Sequence, residues 1–522
     1  MNNVREMNEP TAKSPSVLVT LILFGLAILC AYFLNVFTAW FGSLLVLLYL
    51  SRCRWWIGFL LYTCSFAIVF IIVTEGVIPI PDTERYVMGV IAALISWIPF
   101  ALQNWAAKRF HNPLVTLVLP TVVVASEFAG SSGPFGTWGS GAYTQFDNRI
   151  FVQLLSLTGI WGVSFLLNWF GSVVWWWLTD GGRNLTGWRL DWNGPARKAL
   201  IGSVCLAAFL VVGYGAWRLS AVSDEANTLV AAVPSLIGPA PFEAVEQWRQ
   251  AADDTEKAAT ALEACREPVF TQLETLLAES RRRAADGAQL IVWSEAALAS
   301  PPQFESEIET QCSKFTREQK VHLIAGLGIY RPDVGLYDNM NVHFSPHGEV
   351  LQRYRKSKLV PGEPCIPGDG KPVAVKTSVG NVASIVCFDA DFPEVARNIS
   401  FSKEPCSVLA VSVNDWEEVQ EEHNRMCSYR AIENGIWIVR SSSNGISSVI
   451  SPSGRIVNSF STFEDDQSSL LANVGKPAPA TLAPVIGDSI AQLCLAFTAI
   501  LLVLVPIAAV RNRFSQKSEL LA

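Results

Sequence analysis

The chain has 522 residues, half of them hydrophobic and only 16% charged, with a net charge of −7. So low a charged fraction excludes an ordinary fully soluble protein, and an acidic balance with no basic stripe excludes a nucleic-acid binder. The cysteines show no CxxC pairing, which argues against the common zinc sites; disulfides among Cys265, Cys312, Cys365, Cys387, Cys406 and Cys427 stay open.

The length allows more than one domain, and apolar residues concentrate before Trp217 and after Ile490. Residues 1–16 read as a polar tail. The apolar stretch 17–50, broken at Asn35, reads as two spans joined by a tight turn, each near the lower length limit for crossing. Arg52 and Arg54 precede a third span at 55–73. An acidic, proline-bearing loop leads to a fourth at 86–105, closed by Lys108, Arg109 and His111. A fifth covers 114–125, and a long, Trp-rich sixth covers 150–178. The polar stretch with Arg183, Arg189, Arg197 and Lys198 precedes a seventh at 199–217, and the last covers 490–510, ahead of Arg511, Arg513 and Lys517.

With about eight spans, these basic clusters, together with Arg5 and Lys13, fall on one side. That side is expected to be cytoplasmic, which puts the large central domain outside. The first segment lacks a small-residue cleavage site and runs into a second span, unlike a cleaved signal peptide. The outer loop 126–149 contains Gly130, Gly133, Phe135, Gly136, Trp138 and Gly139. It reads as a flexible loop with interfacial aromatic anchors in preference to the wall of a lipid route. The expected organisation is a tail at 1–16, a bundle of about seven spans at 17–220, an α/β domain at 226–477, a transmembrane helix at 484–510 and a tail at 511–522.

Within the domain, apolar β-branched runs predict strands at 228–233, 290–293, 323–330, 382–386, 408–413, 436–441 and 447–450. A hairpin is expected from 341–345 and 350–355 around Pro346-His347-Gly348-Glu349. Helices are expected at 270–285, 304–319 and 426–433. This order implies a layered α/β domain.

Three of these runs end on chemistry-bearing residues. Glu295 follows Ile291-Val292-Trp293-Ser294, Lys356 follows Gln352-Arg353-Tyr354-Arg355, and Cys387 follows Val382-Ala383-Ser384-Ile385-Val386. Each alone has an ordinary reading: a solvated strand-end charge for Glu295 and Lys356, a buried small hydrophobe for Cys387. Together they suit acyl chemistry. A carboxylate can take a thiol proton and return it, a thiolate can attack a carbonyl, and a lysine cation can stabilise the resulting oxyanion, with the Phe388 N–H as a second donor.

The order Glu295, Lys356, Cys387, with Trp293-Ser294-Glu295, Tyr354-Arg355-Lys356 and Cys387-Phe388-Asp389, resembles the nitrilase superfamily of carbon–nitrogen hydrolases. Set between a bundle of spans and a final span, such a domain looks specifically like the bacterial apolipoprotein N-acyltransferase family. Lys356-Ser357-Lys358-Leu359-Val360-Pro361-Gly362-Glu363 is similar to that family's Lys-x-His-Leu-Val-Pro-Phe-Gly-Glu, and Asn414-Asp415-Trp416 and residues 423–435 also match. Four features depart from the pattern. Phe388-Asp389 stands where the family has Tyr-Glu, Lys358 replaces a His, one residue is missing between Pro361 and Gly362, and Val233-Pro234 stands where Val-Gln-Gly-Asn is usual.

The resemblance implies an α-β-β-α sandwich beside a polytopic helical bundle, with Glu295, Lys356 and Cys387 catalytic, Glu363 supporting, and Phe388 and Trp416 at the substrate. His423 and Arg430, seven apart on one helix, are expected to be structural. The implied reaction is acyl transfer from a phospholipid, through a Cys387 thioester, to the α-amine of a lipoprotein's N-terminal diacylglyceryl-cysteine, in the bacterial inner membrane with the domain on the outer face. No metal or organic cofactor is expected; the expected partners are phospholipid, lipoprotein and membrane, with no nucleic acid, and the chain is expected to be a monomer. Two alternatives stay open: a membrane-tethered amidase, and a polytopic transporter or scaffold without activity.

Overall fold

The computed structural model describes residues 16–32, 36–110, 112–179, 194–223, 225–236, 240–251, 255–465 and 467–521. The N-terminal tail, the break at Asn35, His111, and Arg183 and Arg189 lie outside these. The chain forms two compact units, one of residues up to Leu119 with Asn168–Arg197, the other of Pro120–Leu167 with Lys198 onward.

The apolar stretches fold as α1 (Val17–Tyr32), α2 (Ala39–Leu50), α3 (Trp55–Val73), α4 (Asp82–Arg109), α5 (Val118–Ser131), α6 (Leu155–Thr179) and α7 (Pro195–Ala221). Counting the 3-10 turns that lead into α5 and α6, five of these segments are long and apolar enough to cross a membrane, and the C-terminal helix is a sixth. The helices α1 and α2, of 16 and 12 residues, are shorter. At about 1.5 Å per residue they reach roughly 24 and 18 Å, less than the ~30 Å apolar slab. Among the described residues, the two spans expected at 17–50, each near the lower length limit, are two short apolar helices. The first unit ties its helices with polar contacts: Ser43 Oγ donates to Asn168 Oδ1 at 2.6 Å, Trp175 Nε1 to Ser51 Oγ at 2.7 Å, and Arg85 Nη1 of α4 to the Ile71 carbonyl of α3 at 2.9 Å. The long span expected at 150–178 is interrupted, because Gly159 takes φ +60°, outside the helical region.

The second unit carries the sheets. The strand β1 (Ala226–Val233) leads to α8 (Ala240–Gln250), α9 (Thr255–Ala285), β2 (Leu290–Trp293), β3 (Leu298–Ser300) and α10 (Glu305–Gln319). Next come β4 (His322–Arg331), β5 (Leu336–Phe344), β6 (Val350–Arg355), β7 (Val375–Thr377) and β8 (Gly380–Val386). They are followed by α11 (Pro393–Asn398), β9 (Val408–Val413), α12 (Gln420–Asn434), β10 (Trp437–Ser442), β11 (Ile446–Ile450), β12 (Ile456–Ser461), β13 (Leu470–Gly475) and α13 (Ala483–Leu521). One sheet has the order β13-β1-β2-β4-β5-β6 with β3 beside β4; the other has β12-β11-β10-β9-β8-β7.

Alternation along each strand explains the layering. In β2, Leu290 and Val292 join a core shared with Val382, Val408, Ala410 and Val439 of the second sheet. Ile291 and Trp293 point the other way, against Val269, Leu273 and Leu277 of α9. In β9, Val408 and Ala410 face the first sheet while Leu409, Val411 and Val413 pack with Cys427 and Ala431 of α12. Side chains of period two, apolar on both faces, require cover on both faces. The result is the α-β-β-α sandwich. Each fully buried Val, Leu or Ile contributes roughly 1.5–3 kcal/mol.

Candidate active site

Glu295 sits one residue past Ser294, where the chain leaves β2 in a turn with Ala296 at φ +42°. Lys356 follows β6 directly, and Cys387 follows β8, so all three side chains stand at strand ends of the two facing sheets. All three are buried: Glu295 is 6% exposed, Lys356 1% and Cys387 4%.

Lys356 Nζ lies 2.8 Å from Glu295 Oε1 and 2.8 Å from Glu363 Oε2. Asn339 Nδ2, from β5, donates to both carboxylates, at 2.7 Å to Glu295 and 3.1 Å to Glu363. Glu363 also accepts the Val360 N–H at 3.0 Å. Burial lowers the pKa of the Lys356 ammonium, but the charges of Glu295 and Glu363, with any charge on Cys387 once it ionises, outweigh that effect and hold it well above the usual lysine range. Burial pushes the Glu363 carboxyl up, and the Lys356 ammonium and the local hydrogen bonds bring it below its usual range. The cation therefore stays charged inside the protein because two carboxylates enclose it.

The backbone of Asn414 joins this pair to the cysteine. Its N–H donates to Glu295 Oε2 at 3.0 Å, and its carbonyl accepts Cys387 Sγ at 3.9 Å. Burial and then the Glu295 charge push the Cys387 thiol well above its usual range, with Lys356 acting against them. At rest the sulfur holds its proton, and a base must take it as bonding begins.

Cys387 itself has φ +47°, a left-handed conformation that costs a non-glycine residue on the order of 1–3 kcal/mol. Asp389 holds it there. One carboxylate oxygen accepts Ser357 N, Ser357 Oγ and Lys358 N at 3.1, 2.7 and 2.8 Å; the other accepts Tyr354 OH and Val386 N at 2.9 and 3.2 Å. Hydrogen bonds to a charged group contribute about 1.5–3 kcal/mol each, enough together to offset the strain. The short carboxylate of Asp389 is thus built into the turn, and the same bonds tie the segment after Lys356 to the segment after Cys387.

Of the residues expected at the substrate, Phe388 is buried with its ring edge-on to Phe392 at 5.3 Å. Trp416 is partly exposed between β9 and α12. Sequence reasoning did not single out Asn339, because polar Asp338, Asn339 and Asn341 interrupt the apolar pattern of β5.

The loop before α6 corrects an expectation: it is docked, not a plain flexible connection. Thr137 donates to the Asp391 carbonyl through N–H at 3.1 Å and through Oγ1 at 2.8 Å, and Trp138 Nε1 donates to Asp391 Oδ2 at 2.6 Å. Gly136 has φ +55°, and a Cβ there would meet the Asp391 carbonyl oxygen at 2.7 Å. Only glycine allows that approach. His423 and Arg430 are both buried, Arg430 paired with Glu433 at 2.9 Å. Among the described residues, Cys387, Asp415 and His423 bring their donor atoms within 4.8 Å of one another. Asp415 already carries His423 Nδ1 at 2.6 Å and Arg440 Nη2 at 2.5 Å, so protein cations occupy this carboxylate. All eleven cysteines are free thiols.

A two-sheet sandwich that brings glutamate, lysine and cysteine to one buried rim is the architecture of a carbon–nitrogen hydrolase domain, and that family's sequence model matches residues 244–472. A second model, the apolipoprotein N-acyltransferase N-terminal domain, matches residues 24–173. The apolipoprotein N-acyltransferase of Geobacter metallireducens is 24% identical over 411 residues, covering 72% of this chain and 73% of its own length. That of Borreliella burgdorferi is 21% identical over 472 residues, covering 83% and 82%. Among solved structures, an amidase from Nesterenkonia sp. aligns with a TM-score of 0.39 and 17% identity, over 52% of this chain and 97% of the amidase. The chain belongs to the apolipoprotein N-acyltransferase family, the membrane-embedded branch of the nitrilase superfamily.

Proposed function

We propose that this protein transfers an acyl chain from a phospholipid to the α-amine of the N-terminal S-diacylglyceryl-cysteine of lipoproteins, through a thioester on Cys387. The observation that carries the mechanism is the enclosed Glu295–Lys356–Glu363 group joined to Cys387 through the backbone of one residue, Asn414.

In the first half-reaction Glu295 takes the Cys387 proton as Sγ bonds to the ester carbonyl carbon. Lys356 and the Phe388 N–H hold the oxyanion. The ester C–O bond then breaks, Glu295 returns the proton to the departing oxygen, and a lysophospholipid leaves. In the second, the lipoprotein amine attacks the thioester carbonyl and gives up a proton to Glu295. The C–S bond breaks, the thiolate recovers that proton, and the amide remains. Glu363 orients Lys356, and Trp416 borders the substrate. Both substrates are held in the bilayer, so a site tethered beside it gains effective concentration. The multi-pass bundle, with the residues 226–477 domain on the outer face of the bacterial inner membrane, fits this supply of substrate.

The test is product analysis. Purified protein with a phospholipid and a diacylglyceryl-cysteine peptide is expected to yield the N-acylated peptide and lysophospholipid in equal amounts. Free fatty acid in place of acylated peptide would support the tethered-amidase alternative.

A further inference from the structure

Behind Cys387 lies a buried chain of charges that the Glu–Lys–Cys chemistry does not use. His423, on α12, stands between two carboxylates. Its Nδ1 is 2.6 Å from Asp415 Oδ1, and its Nε2 is in ion-pair contact with Asp391 Oδ1 at 3.1 Å. All three side chains are buried. Asp391 arrives on the turn that begins at Cys387, and Asp415 is the neighbour of Asn414, whose backbone N–H and carbonyl touch Glu295 and Cys387 respectively.

We propose that His423 is a positioning residue, a fixed imidazolium that stands beside the Cys387 sulfur and stabilises its thiolate form. The proposal rests on Cys387 being the nucleophile. Nδ1 is hydrogen-bonded to Asp415 Oδ1, and Nε2 has the Asp391 carboxylate beside it as an ion-pair contact, without hydrogen-bond alignment; an anion at each nitrogen favours the doubly protonated ring. Burial works against that charge, but Asp391 and Asp415 outweigh burial and hold the imidazole well above the usual histidine range. A ring nitrogen of His423 lies within 4.8 Å of Cys387 Sγ, a distance at which a cation favours a thiolate.

Other charged and titratable groups around the ring and its carboxylates include Arg440 of β10, behind Asp415, Cys427 on α12 itself, and Glu422, Arg430 and Tyr143, which interact with Asp391. Trp138 fixes the outer end of the chain through its bond to Asp391, with its ring 6.4 Å from that of His423. The docked loop thereby sets the register of the same carboxylate that orients the imidazolium.

The sign of each substitution follows from charge alone. His423→Gln removes a cation and leaves two anions near the sulfur, so the thiol titrates higher. Asp391→Asn removes one anion while Asp415 keeps the imidazolium charged, so the thiol titrates lower. A residue with only a packing role would not give opposite shifts.

The measurement is the pH dependence of Cys387 alkylation by iodoacetamide in the full-length protein in nanodiscs, resolved from the other cysteines by peptide mass spectrometry, with thermal unfolding in parallel. Relative to wild type, the midpoint is expected to rise by about one pH unit in His423→Gln and to fall in Asp391→Asn. One unit is a tenfold rate change at fixed pH below the midpoint. Shifts in the same direction, or unchanged midpoints, would overturn the proposal. If His423→Gln does not fold, Asp391→Asn decides alone, a downward shift supporting and any other result overturning. Acylation of wild-type Cys387 by phospholipid, measured beside it, reports on the nucleophile separately, because alkylation needs no acyl donor.

Discussion

Replacing Glu295 with glutamine is expected to slow acylation of Cys387 by a factor on the order of 10²–10⁴ while the protein still folds. Glutamine matches glutamate in shape, so its oxygen can still accept from Lys356 and Asn339, as Oε1 does now at 2.8 and 2.7 Å. Its amide nitrogen would then face the Asn414 N–H, which now donates to Oε2. Two donors facing each other cost about 1–3 kcal/mol, a local loss. What disappears is the base. The thiol, pushed well above its usual range by burial and the Glu295 charge, would titrate lower beside the neutral amide, yet nothing would take its proton as Sγ attacks. Single-turnover acylation rates, compared with unfolding midpoints, separate the two effects. A glutamine variant that acylates at the wild-type rate would remove Glu295 from the mechanism.

Lys356→Met is expected to cost both activity and stability. Lys356 is 1% exposed and is the cation between Glu295 and Glu363. Without it the buried Glu295 and the half-buried Glu363 carboxylates face each other across Asn339, and breaking a buried ion pair by removing one partner costs on the order of 3–5 kcal/mol. That appears as a drop of several degrees or more in the unfolding midpoint. Loss of an oxyanion partner lowers the chemical rate a further 10²–10³-fold, roughly.

The pH dependence changes sign as well. In the wild type the Glu363 carboxyl is held below its usual range. Its contribution to stability is therefore present above that range and lost as pH falls through the depressed value. In the methionine variant one carboxylate titrates above the usual range, so that contribution grows as pH falls. Unfolding midpoints measured from about pH 4 to pH 7 read this directly. Parallel wild-type and variant curves would contradict the enclosed-cation description.

Two of the three elements that deliver the central side chains were legible as short β-branched runs that stop on a polar residue, and the third, β6, as the second arm of a hairpin around Pro346-His347-Gly348-Glu349. The strands at 290–293 and 350–355 coincide with β2 and β6 residue for residue, and 382–386 is the C-terminal part of β8. Elements with weak patterns were not legible. The three-residue strands β3 and β7 are too short to show a period. The strand β12 carries Asn458, Ser459 and Ser461 among its apolar residues, and β13 draws its meaning from pairing with β1, more than 230 residues earlier in the chain. The first half of β5, with Asn339, was hidden by polar residues that face the site.

Long-range polar contacts were invisible for a different reason. The Trp138 indole meets Asp391, 253 residues on, and His423 meets carboxylates from two other segments. Composition marked the first as a flexible loop and helical spacing marked the second as structural, since neither signal carries information about distant partners. Asp389 stood out in the sequence only as a departure from the family pattern, whereas its five hydrogen bonds make it the brace of the cysteine turn.

The central claim is that Cys387 carries the acyl group. Intact mass spectrometry of the purified protein after incubation with phospholipid, beside Cys387→Ala, tests it most directly. The account predicts an acyl-sized, hydroxylamine-sensitive adduct on the wild type, absent from the alanine variant and discharged by a diacylglyceryl-cysteine peptide. An adduct that persists in Cys387→Ala, or a folded wild type that transfers acyl groups without ever carrying one, would contradict it.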